Sequence, residues 1–86
     1  MGNFDYDAPA EIYITLGWGS KQGPVTYRRF ARSADAIRFA IEELTRKMQR
    51  GIAMEVGDER FEFAQILDLY GSEQYPLSRR AVDPPP

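Results

Sequence analysis

The hydrophobic period of this chain switches between two and 3.6, and the order of those switches most constrains what it can fold into. Ile12, Ile14 and Leu16 fall on one side of residues 11–16, with Tyr13 and Thr15 on the other. That is the period-two signature of a half-buried strand. Residues 25–31 read as a second strand, joined to the first by the glycine-rich stretch 17–24. Adjacent strands with a connection of that length most simply form an antiparallel hairpin with a long loop. Ile52, Met54 and Val56 alternate with Ala53 and Glu55, Gly57-Asp58 supplies a two-residue turn, and Phe61 and Phe63 alternate with Arg60 and Glu62. This predicts a second, tighter hairpin.

Between the hairpins the period changes. Ile37, Ala40, Ile41, Leu44 and Met48 share one face of a helix over residues 33–50. Ser33 is placed to cap it, Asp35 lies in its first turn, Arg46, Lys47 and Arg50 favour its C-terminal end, and Gly51 terminates it. Ile66, Leu67 and Tyr70 return to helical spacing and give a short helix that stops at Gly71, after which Tyr75-Pro76-Leu77 is expected to lie back over the core. The expected fold is α+β in the order ββαββα: an antiparallel four-stranded sheet of two hairpins, one main helix packed on one face, and a short C-terminal helix. Residues 1–10 are expected to be a flexible N-terminal tail and 11–77 a single domain. Residues 78–86, which end in Asp83-Pro84-Pro85-Pro86, are expected to be a Pro-rich flexible C-terminal tail.

Composition narrows the chemistry. The 86 residues include no Cys and no His. Thiolate nucleophiles, disulfides and sulfur-built metal sites are therefore excluded, as are His-based triads and HExxH metal sites. Asp58, Glu59 and Glu62 cluster near a turn but lack the ligand spacing of a calcium loop. The expectation is a non-enzymatic chain with no cofactor and no metal. The acidic start, Asn3-Phe4-Asp5-Tyr6-Asp7, does not read as a signal peptide, and no apolar run approaches a membrane span. A cytoplasmic location, without membrane contact, is the default expectation. A chain this short buries only about 60% of its unfolded surface, so burial against a partner would help it.

Three constellations invite a functional reading. The loop Gly17-x-Gly19-x-x-x-Gly23, with Lys21 inside it, matches neither the dinucleotide fingerprint nor a P-loop, and a strand rather than a helix follows it. Trp18 in that loop is either a lid over the core or an exposed contact residue, and a small-molecule site near it is one alternative function. The charge is uneven: residues 21–50 hold eight basic and three acidic groups, a net of +5 in a chain of net −2. Arg28, Arg29 and Arg32, with Lys21, are the candidate nucleic-acid contacts. The competing account pairs Arg38–Glu42, Glu42–Arg46 and Glu43–Lys47 along the helix, and sets Arg28 and Arg60 beside Glu55 and Glu62 across the sheet.

The segment Val25-Thr26-Tyr27-Arg28-Arg29-Phe30-Ala31, followed at once by the helix from Ser33, resembles the opening of the ribbon-helix-helix DNA-binding family. The resemblance implies a strand that pairs with its dimer mate and lays Thr26 and Arg28 into the major groove. The chain departs from that pattern in having an earlier strand at 12–16, and strand-like residues 52–56 where the second helix would begin.

The third constellation is aromatic. At 100° per residue Phe39 lies about 200° from Ile37, on the polar side of the helix beside Arg46 and Arg50. It is expected to be covered either by Tyr75-Pro76-Leu77 or by another protein. If Val25 and Tyr27 face the helix, Phe30 lies on the other face of the sheet with Tyr13. Phe39, Phe30, Tyr13 and Trp18 are accordingly the candidate interface. The first functional expectation is a protein–protein interaction module whose partner is itself, as a homodimer, or another protein. A nucleic-acid-binding regulator is the alternative.

Overall fold

The computed structural model describes residues 4–15 and 25–78. Four strands, β1 (Ala10–Thr15), β2 (Val25–Phe30), β3 (Ile52–Val56) and β4 (Glu59–Glu62), form one antiparallel sheet in the order β2-β1-β3-β4. The helical segments are α1 (Ser33–Arg38), a π-helical turn (Phe39–Glu43), α2 (Arg46–Arg50) and α3 (Phe63–Gly71). The α+β class and the ββαββα order are therefore present, with both hairpins, which meet along β1 and β3.

Register assigns the faces. Directly opposed residues share a face in an antiparallel ladder. Ile12 stands opposite Arg28 and Met54, and Met54 opposite Phe61; Ile14 stands opposite Thr26 and Ile52. This side carries the core, in which Ile12, Ile14, Ile37, Met54 and Ile66 are buried. Ala34, Ala36 and Ala40 are fully buried too; such small side chains let a helix approach a sheet closely. Tyr75 closes the core from the C-terminal side, buried, with its hydroxyl donating to the Ala34 carbonyl at 3.1 Å.

Four expectations are corrected. The helix over 33–50 is not continuous: Leu44 is extended (φ −91°, ψ 147°), and Thr45 caps a fresh start, its Oγ1 accepting from the Met48 N–H at 3.3 Å. A side-chain cap of this kind competes with helix continuation. The Gln49 amide then donates to the Ala40 and Ile41 carbonyls at 3.0 and 3.3 Å, satisfying groups near the break.

The N-cap is Arg32, not Ser33. The Ser33 and Ala34 N–H groups donate instead to the carbonyls of Ala8 and Tyr6, and the Ser33 hydroxyl donates to that of Asp5. The N-terminal segment is thereby the cap of α1, and the stretch expected as a tail is docked from Phe4 onward. Phe4 packs edge-on against Phe61, and the Tyr6 hydroxyl donates to Leu69. Finally, Phe63 opens α3 rather than continuing β4, because Glu62 and Gln65 form a reciprocal capping box.

Candidate functional site: the open sheet face and the β2 edge

Among the described residues α1 and α3 contribute Ile37 and Ile66 to the core side of the sheet, and the opposite face presents two ordered rows. The first runs Arg29–Glu11–Glu55–Arg60 across β2, β1, β3 and β4. Its acids are flanked by cations, and Arg60 meets Glu55 at 3.0 Å. The second runs Tyr27–Tyr13–Ala53–Glu62. The two tyrosine rings lie 5.2 Å apart, and both hydroxyls donate to the Glu11 carboxylate, at 2.8 Å from Tyr27 and 3.2 Å from Tyr13.

That shared carboxylate leaves a mark on both phenols. The Tyr27 pKa is raised first by its hydrogen bond to Glu11, then by desolvation and by the Glu11 charge. The Tyr13 pKa is raised first by desolvation, then by the Glu11 charge and hydrogen bond. Both phenols stay protonated and act as donors at neutral pH. With Val25 opposite Thr15, this face ends at β2, the outermost strand, where Val25 is 58% and Tyr27 50% exposed.

The candidate residues divide. Phe30 is not on the open face with Tyr13: it stands opposite Ala10, on the core side. The alternation within β2 was legible, but its absolute parity is decided by pairing with β1. Val25 and Tyr27 therefore take the open side, and Thr26, Arg28 and Phe30 the core side. Phe30 and Phe39 are brought together, with ring centroids 5.3 Å apart, and the Arg28 guanidinium lies over Phe39 at 4.8 Å and over Phe30 at 5.4 Å. Phe39 is thus covered within the chain by β2, and Tyr75 instead packs against Tyr6 and Tyr70. Tyr13 lies on the opposite side of the sheet from both phenylalanines. Trp18 lies outside the described residues.

The candidate nucleic-acid contacts do not converge. Arg28 faces the core side, Arg29 the open side, and Arg32 is bound to Asp7 at 2.9 Å; Lys21 lies outside the described residues. Nor does Arg28 share a face with Arg60 and Glu55. An open cleft of about 860 Å³ adjoins the two rows at Ala53, Arg60 and Glu62, with Arg46 and Arg50 of α2 on its other side. Sequence reasoning passed over Val25, Tyr27 and Glu11. No signal in the sequence marks them, because the parity of β2 is set by its register with β1.

Among the described residues no helix is long and apolar enough to cross a membrane. The described residues form an α+β sheet module with the β2 edge exposed on one side of the sheet. No protein-family model, curated protein or solved structure matches it.

Proposed function

We propose that this chain is a non-enzymatic module that works by protein–protein contact, with the β2 edge and the adjoining open face as its contact surface, and that it assembles as a homodimer. The observation that carries this reading is the exposure of β2, in which every residue from Val25 to Arg29 is exposed on an outermost strand. An outer strand presents unpaired N–H and C=O groups, a ready template for another strand. The aromatic pair Tyr13–Tyr27 beside it supplies rigid contact area of the type enriched at interfaces. A core this small gains from burial against a second surface, and two-fold dimers are the commonest assemblies.

The nucleic-acid alternative has less support. The described open face sets Arg29 and Arg60 against Glu11, Glu55 and Glu62, and phosphate binding needs a net cationic surface.

Light scattering at micromolar concentration tests the proposal. The wild-type chain is expected at the dimer mass. Tyr27→Glu, which sets a second carboxylate beside Glu11, is expected at the monomer mass with an unchanged circular dichroism spectrum. A wild-type chain that stays monomeric overturns the homodimer.

A further inference from the structure

The open cleft beside α2 gathers more positive charge than its surroundings neutralise. Along a continuous helix Arg46 would pair with Glu42, four residues before it. The break at Leu44 and the fresh start at Thr45 undo that spacing. The Glu42 carboxylate instead accepts from the Tyr70 hydroxyl at 2.6 Å. Arg46 and Arg50 stand one turn apart within α2, and both line the cleft. Among the described residues neither guanidinium lies within ion-pair distance of a carboxylate. Like charges at this spacing repel, and an anion between them would turn that repulsion into two attractions.

The other charges of the lining are already engaged. Arg60 is held by Glu55 at 3.0 Å. Glu62 caps α3, its carboxylate accepting from the Gln65 N–H. The lining as a whole sets three arginines against one glutamate. It also includes the apolar residues Ile52, Ala53 and Phe63. Small-molecule sites combine such apolar lining with a few polar groups that fix orientation, and about 860 Å³ is within their size range.

We infer that this cleft binds a small organic phosphate monoester, its phosphate held by the Arg46 and Arg50 guanidiniums and its apolar body against Ala53 and Phe63. One guanidinium fork saturates the two oxygens of a carboxylate, whereas the three outer oxygens and double charge of a phosphate suit two forks. The ligand is small because the sheet face adjoining the cleft carries Glu11, Glu55 and Glu62. A polyanion running out of the cleft over that face would meet those acids. The site is separate from the β2 edge and stands whether or not the chain dimerises.

Phenyl phosphate, an aromatic ring carrying one such group, is the probe. Titrated into the isotope-labelled chain, it is expected to shift the backbone amides of residues 50–53 and 63–64 saturably in NMR spectra, and to bind more weakly as salt is added. Arg50→Gln should raise Kd by about tenfold or more, the loss of a charge-assisted contact, at unchanged Tm. Arg46→Gln should do the same and serves if the first variant loses its fold. Lys47→Gln removes a charge from α2 outside the lining and should leave Kd nearly unchanged. The absence of saturable shifts at millimolar probe overturns the site, as does a Lys47→Gln loss equal to that of the arginine variants. Inorganic phosphate that binds as tightly as the probe overturns the organic ligand. A short DNA duplex that moves the same amides at lower concentration overturns the small-molecule class in favour of a nucleic-acid backbone.

Discussion

At the scale of single residues, two positions carry consequences out of proportion to their size. Gly51 lies where the backbone of β1 passes closest: a Cβ there would overlap the Thr15 carbonyl, while the Thr15 N–H donates to the Gly51 carbonyl at 2.9 Å. Backbone cannot swing aside as a side chain can. Gly51→Ala is expected to lower unfolding stability by about 2–4 kcal/mol in urea titration, the range of severe single-residue strain. Gly71→Ala, where nothing lies within 4 Å, should change it by less than about 1 kcal/mol.

Tyr75 is the second. Burial pushes its phenol from 10.0 up to about 12. The folded state therefore holds this proton more tightly than the unfolded state does. The associated stability is fully present below pH 10 and is lost as pH rises toward 12. Urea midpoints measured from pH 9 to 12 should fall across that window. In Tyr75→Phe the fall should shrink, after a neutral-pH cost of about 1 kcal/mol for the lost bond to Ala34.

At the scale of elements, the break in the central helix is the main departure from the sequence pattern. Ile37, Ala40, Ile41, Leu44 and Met48 fit one continuous helix, which over residues 33–50 would be about 27 Å long. The break precedes Gly51, whose carbonyl accepts from the Thr15 N–H at 2.9 Å. The chain widens into the π-helical turn, extends at Leu44 and restarts at Thr45. The Gln49 side chain holds the two pieces together through the Ala40 and Ile41 carbonyls. Gln49→Leu is expected to cost about 1–3 kcal/mol, since it leaves part-buried carbonyls without their donor. Denaturant titration alongside Thr45→Ala, a cap loss of about 1 kcal/mol, would place the two side chains on one scale.

The hairpin β3–β4 was legible because Gly57, at φ 61°, adopts a conformation that glycine enters freely, so the turn could be read from a dipeptide. The helix break was not, because the apolar period of 3.6 runs through it unbroken, while the Thr45 cap and the Gln49 bonds to the Ala40 and Ile41 carbonyls appear only in the fold.

At the scale of the whole molecule, the two functional readings respond oppositely to salt. Two copies that met along the exposed β2 edge of the proposed contact surface would bring their Arg28 and Arg29 side chains near one another. Their repulsion is screened as ionic strength rises, so the dimer dissociation constant is expected to hold steady or fall between low and moderate salt in sedimentation equilibrium. Binding of duplex nucleic acid would weaken steeply over the same range. A dimer that dissociates as salt is added would count against the β2 edge and for a contact built on opposite charges.

The sequence by itself determined the order of strands and helices, the two hairpins and the apolar residues of the core, because those follow from local periodicity and turn chemistry. Among candidate site residues it singled out the aromatics Phe30, Phe39 and Tyr13 but misplaced how they combine. Only the tertiary structure decided which face of the sheet β2 shows to solvent, since alternation defines two faces without saying which is buried. That choice turns on pairing Ala10 with Phe30. It sends Phe30 and Arg28 to cover Phe39 and leaves Val25 and Tyr27 on the bare side, because a one-residue change of parity exchanges every side chain of a strand between core and solvent.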